Sequence, residues 1–66
     1  MDTIVNLKRF RERHNLTQAK AAEAIGIDQR QWNRYENGYN EMPTRYIIAL
    51  CKAFDVSSDW LLGLED

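Results

Sequence analysis

The stretch Thr17–Gly38 reads TQAKAAEAIGIDQRQWNRYENG, and its punctuation decides the fold. Thr17 has the side-chain oxygen of a helix N-cap, and the alanine-rich run from Gln18 to Ile25 is a good helix former. Gly26 suits the left-handed position that closes such a helix. Asp28 offers a second N-cap, with Gln31 three residues later completing a capping-box pattern. Asn37-Gly38 supplies a second stop. The spacing therefore predicts two short helices, about Gln18–Ile25 and Gln29–Asn37, meeting across a sharp turn at Gly26. Ala21, Ala22, Ile25, Ile27, Trp32 and Tyr35 fall where the helices would touch, and Ala22 is small enough to let their backbones approach. Helical hairpins in general share some of this spacing.

Working outward, Ile4, Leu7, Phe10, Arg11 and His14 form one stripe at three- and four-residue spacing, which predicts a first helix over Thr3–His14. Pro43 suits the first turn of a fourth helix reaching about Phe54. There Ile47, Leu50, Cys51 and Phe54 repeat at i, i+3, i+4 and i+7. Ser57 caps a last short helix, Ser58–Leu62, closed by Gly63. Nothing reads as a strand. The expected fold is all-α, a compact bundle of five helices in one domain spanning residues 1–66.

Composition agrees with a folded, soluble domain: 44% hydrophobic and 29% charged residues, with two Trp, three Tyr and two Phe. Met1–Val5 lacks the basic and apolar segments of a secretory signal, and no apolar run approaches the roughly 18 residues that span a membrane. One cysteine, Cys51, and one histidine, His14, supply neither an internal disulfide nor a metal set. Cys51 reads as a small buried hydrophobe, and an unpaired thiol fits a reducing, cytoplasmic setting. No cofactor-binding motif is present. With no nucleophile–base pair or phosphate loop, an enzyme is not expected. The net charge is −1, but it is unevenly spread. Residues 1–46 hold eight Lys and Arg against six acids, net +2, and residues 47–66 are net −3. One end of the molecule can face a polyanion while the other turns away.

Specific wording narrows the class. Leu16-Thr17-Gln18, Gly26-Ile27, Arg34-Tyr35-Glu36-Asn37-Gly38, Pro43 and Val56-Ser57-Ser58-Asp59-Trp60-Leu61-Leu62-Gly63 resemble the phage repressor and Cro-like helix-turn-helix family, also called the xenobiotic-response-element family of bacterial regulators. The resemblance covers about residues 4–63. It implies a lambda-repressor-like five-helix domain whose helices 2 and 3 form a helix-turn-helix. It further implies that helix 3 enters the major groove of double-stranded DNA, usually in a homodimer on a near-palindromic operator. Three features depart from the family pattern. Ala21 stands for a large aliphatic, Trp32 for an Ile or Val, and the often basic loop after Gly38 is Tyr39-Asn40-Glu41-Met42. The last should weaken phosphate binding.

With Trp32 at zero on the wheel of the third helix, Tyr35 and Glu36 fall within about 60° of it, toward the bundle. Arg30 and Arg34 lie near the opposite side, Asn33 beside them and Gln29 at the N-terminal end. A solvated face would look the same in an arbitrary helix. Inside this motif Gln29, Arg30, Asn33 and Arg34 are the candidate base readers, because Arg forks match guanine and Gln or Asn can pair twice with adenine. By the resemblance, Gln18 and Asn37 contact phosphates. Arg11 and Glu36 each fall on a core-facing stripe, where an unpaired charge is costly, so the two are expected to pair. Arg9 and Arg13 are either screening charges or an ordinary solvated face. Trp60, Leu61, Leu62 and Leu64 are either core or a dimer seam. The competing function is a protein-binding module, such as an antitoxin-like or regulatory subunit, favoured by the pI of 5.7. Such an adaptor has no need of Gln29, Arg30, Asn33 and Arg34 exposed together.

Overall fold

A computed structural model describes residues 3–64, with side chains from Asn6 onward. The side chain of Ile4, assigned to the stripe of the first helix, and the terminal Glu65 and Asp66 of the acidic end lie outside what is described. Five helices follow one another: α1 (Thr3–Arg13), α2 (Gln18–Ala24), α3 (Gln29–Glu36), α4 (Thr44–Phe54) and α5 (Ser58–Leu61). No strand occurs among the described residues. α2 packs on α3, α1 on both α3 and α5, and α4 on α5. The body measures 28 × 24 × 21 Å.

Side-chain caps start three of the helices. Thr17 accepts from Lys20 N–H at 3.1 Å, Asp28 from Gln31 N–H at 2.8 Å and Ser57 from Trp60 N–H at 3.2 Å. Beyond Asp28 the expected box is only half formed, since the Gln31 amide donates to the Tyr35 hydroxyl at 2.7 Å. Pro43 precedes α4 rather than opening its first turn: its ψ of 150° is extended. The C-terminal boundaries fall one residue earlier than the sequence suggests in α1, α2, α3 and α5. There His14, Ile25, Asn37 and Leu62 belong to the closing turns.

Between α2 and α3, Gly26 has φ +76°. Its N–H donates to Glu23 O at 3.2 Å and that of Ile27 to Ala22 O at 3.0 Å, which satisfies two carbonyls at the end of α2. No atom lies within 4 Å of a Cβ built on Gly26, so backbone conformation and not crowding demands glycine here.

Leu7, Phe10, Ala21, Ala22, Trp32, Tyr35, Ile47, Leu50 and Leu61 form the core. Phe10 joins its layers, 6.5 Å from the Trp32 ring and edge-on to Phe54 at 5.0 Å. Trp32 and Ala21 are both fully buried in this core. Cys51 is only half-buried. His14 remains exposed, although its ring packs at a tilt against Phe10 and Phe54. The C-terminal apolar run divides: Leu61 is core, Trp60 half-buried, and Leu62 and Leu64 are exposed. Asn6 is the unexpected core member. It is buried, and its Nδ2 donates to Trp60 O at 2.7 Å, tying α1 to α5.

Candidate nucleic-acid interface

α3 is held from behind by its aromatic face. Trp32, Tyr35 and Glu36 are buried, while Gln29, Arg30, Asn33 and Arg34 are exposed. The helical period puts Arg30 and Arg34 nearly opposite Trp32 and Asn33 at the edge of that face, whereas Gln29, three residues before Trp32, is exposed at the open first turn of the helix.

A carboxylate anchors the helix. Arg11 Nε donates to Glu36 Oε2 at 3.0 Å, and a terminal guanidinium nitrogen donates to Oε1 at 2.9 Å, a two-pronged pair. The Trp32 indole N–H donates to Oε2 at 2.6 Å and Gln18 Nε2 to Oε1 at 3.3 Å. Burial pushes the Glu36 pKa up, but bonds from Arg11, Trp32 and Gln18 outweigh it and hold the carboxyl below its ordinary value. On the other side, the bond to Glu36 outweighs desolvation and raises the Arg11 pKa. Arg11 also donates to Leu16 O at 3.1 Å, so one side chain secures α1, the loop before α2, and α3.

Gln18, at the start of α2, is more engaged than a free phosphate ligand. Its Nε2 faces Glu36 and its Oε1 accepts from Asn33 Nδ2 at 3.2 Å. Asn37 donates from Nδ2 to Asn33 O at 2.9 Å, closing the last turn of α3. Arg30, Asn33 and Arg34 line an open cleft of about 370 Å³ with Tyr39 and Asn40. Sequence reasoning misses those last two. They fold back because the N–H groups of Tyr39 and Asn40 donate to Arg34 O at 2.9 and 3.4 Å. The signal was the Asn37-Gly38 stop, since the residue after such a glycine bonds back into the helix. Arg13 lies elsewhere, over the Trp60 ring at 4.8 Å, in a groove lined by α1 and the α4–α5 junction.

Two short helices locked across a tight turn, the second presenting a polar face rich in Arg, Asn and Gln, define a helix-turn-helix domain. The helix-turn-helix family matches residues 7–61, and the chain belongs to its phage repressor and Cro-like branch of transcription regulators. It is 40% identical over 58 residues to antitoxin PezA of Streptococcus pneumoniae, covering 88% of this chain and 37% of PezA. It is 37% identical over 60 residues to the uncharacterized HTH-type transcriptional regulator YobD of Bacillus subtilis, covering 91% of this chain and 54% of YobD. It is 33% identical over 60 residues to the regulator ImmR of the same organism, covering 91% of this chain and 47% of ImmR. The chain thus spans between about a third and a half of these relatives' lengths. Among solved structures, a transcriptional regulator from Listeria innocua superposes with a TM-score of 0.87 at 26% identity, over 98% of this chain and 61% of that one. The P22 c2 repressor, solved with a synthetic operator, gives 0.85 at 22% identity over 98% of both chains, which shows the shared fold.

Proposed function

We propose that this chain binds double-stranded DNA in a sequence-specific way and regulates transcription, with α3 in the major groove. The observation that carries this reading is the exposed set Gln29, Arg30, Asn33 and Arg34 on a helix whose opposite face is fixed in the core. Those four side chains read base edges. Gln29, at the helix start, suits a base near the edge of the half-site, most simply adenine, and Arg30 and Arg34 take guanines or flanking phosphates. Gln18, through its remaining amide hydrogen, and Asn37 hold phosphates on the two flanks. The active form is a two-fold dimer on a near-palindromic site, and the exposed Leu62 and Leu64 are the apolar surface a second copy would cover. No helix of the described residues is long and apolar enough to cross a membrane, and a cytoplasmic place beside the nucleoid suits this role.

Selection of randomised duplexes by the chain, followed by sequencing, tests the reading. An enriched near-palindrome supports it. No enrichment, or an operator whose affinity survives both Gln29→Ala and Arg34→Ala, refutes the recognition-helix assignment. The similarity to antitoxin PezA favours a second reading, a module that holds another protein. In that case the same selection returns no motif.

A further inference from the structure

We propose that Gln18 is a positioning residue that turns the Asn33 carboxamide oxygen toward the DNA, so that Asn33 selects a base carrying an exocyclic amino group. The inference rests on the DNA-binding reading above and deepens it. Polarity is handed along a chain of three side chains, Glu36, Gln18 and Asn33. The ionised Glu36 carboxylate can only accept hydrogen bonds. The Gln18 atom facing it at 3.3 Å must therefore be the donor Nε2. That leaves Gln18 Oε1, an acceptor, facing Asn33, and the Asn33 atom 3.2 Å away must in turn be the donor Nδ2. With one of the two Nδ2 hydrogens committed inward, the Asn33 Oδ1 is the end turned away from Gln18, and only the second amide hydrogen remains beside it as a donor.

An unconstrained asparagine offers either end of its amide and discriminates poorly. This one is biased toward accepting. In the major groove the donors it can accept from are adenine N6 and cytosine N4, whereas guanine shows two acceptors and thymine an acceptor and a methyl group. Asn33 is well placed to use that bias, being exposed and lining the cleft with Arg30 and Arg34. The orientation originates at the Arg11–Glu36 pair in the interior, so the element that fixes the fold also fixes the reading head.

Selection of randomised duplexes by the 66-residue chain and its variants tests this. Asn33→Ala should relax preference at one position, by about tenfold in affinity ratio. Gln18→Ala should relax the same position, beyond any uniform weakening from a lost phosphate contact, and should add nothing there on the Asn33→Ala background. Duplexes with purine for adenine, or 2-pyrimidinone for cytosine, at that position identify which amino group is read. Glu36 keeps Arg11 and Trp32 in Gln18→Ala, so the fold should hold, and circular dichroism checks this. Asn33→Asp supplies an independent readout. Both its oxygens accept, so it needs no orienting, and its amino-base preference should persist when Gln18→Ala is added. If Gln18→Ala weakens all duplexes alike and leaves the selected profile unchanged, the positioning role is overturned while DNA binding stands. If no duplex is selected at all, the DNA-binding reading has failed and the positioning role fails with it.

Discussion

At the residue scale, Glu36 shows how a buried charge is made tolerable. Its side chain is 6% exposed, and four hydrogen bonds from Arg11, Trp32 and Gln18 occupy both oxygens. Removing one partner of such a pair leaves the other uncompensated, so Arg11→Met should cost about 3–5 kcal/mol. A chain this size has only roughly 3–10 kcal/mol in all. Urea unfolding should show a large fall in midpoint or no folded baseline, and an unchanged midpoint would show the pair to be idle. The pH dependence follows from the same contacts. Glu36 releases its proton more readily folded than unfolded. Its contribution is therefore complete at neutral pH, above the unfolded value, and is lost as pH falls below the ordinary carboxylate range through the lowered folded value. Glu36→Gln should be less stable at pH 7 and should lose that part of the acid slope. Ala21 offers a test of packing. It and Trp32 are both fully buried, so Ala21→Leu should overpack and cost about 1–3 kcal/mol. A raised melting temperature would mean that a void lies there.

All five helices close by the same device, a left-handed residue followed by one whose N–H reaches back to a carbonyl five residues earlier: Leu16 to Arg11, Ile27 to Ala22, Tyr39 to Arg34, Val56 to Cys51 and Leu64 to Asp59. Three left-handed positions are glycine, but Asn15 and Asp55 hold the other two, each at φ 55°. A side chain in that region costs about 1–2 kcal/mol, less for Asn and Asp. Asp55→Gly should therefore raise stability slightly and Gly26→Ala lower it by about 1–2 kcal/mol, although Gly26 has room for a methyl group. At about 4–8 °C per kcal/mol, thermal melts resolve the larger change. A shift of the same sign in both variants would contradict the backbone account. These elements also separate what the sequence discloses from what it hides. Helix number, the turn at Gly26 and the buried face of α3 follow from period and from residues with one dominant conformational role. Asn15 and Asp55 are missed because neither residue is restricted to the left-handed region. The Gln18–Asn33 contact and the bond from Asn6 to Trp60 O are hidden for another reason: both depend on rotamers fixed by tertiary packing. Tyr39 and Asn40 reach the exposed polar face of α3 only through its closing turn.

On the scale of the whole molecule, one short recognition helix of the proposed kind would read too few bases to single out a site, and the proposed pairing of two copies would solve the problem geometrically. Half-sites about 34 Å apart present successive major grooves on one side of the duplex. The chain carries net −1 overall and Arg45 is the one basic residue between Gly38 and Ile47, so nonspecific affinity should be weak. Discrimination then depends on base contacts and on joining the copies. Leu62 is 42% and Leu64 73% exposed just beyond Leu61, which is fully buried. In the proposed dimer, an apolar pair fixed this closely to the core would transmit the position of one copy to the other. Replacing both with glutamine removes apolar surface without adding charge, and their exposure means the monomer should stay folded. We expect Leu62→Gln with Leu64→Gln to leave binding to a single half-site duplex unchanged. The advantage of the full palindrome, about a hundredfold or more when two sites are engaged together, should disappear. Titration of both duplexes at fixed salt measures this directly. If the palindrome keeps its advantage in the double variant, the two copies meet through another surface.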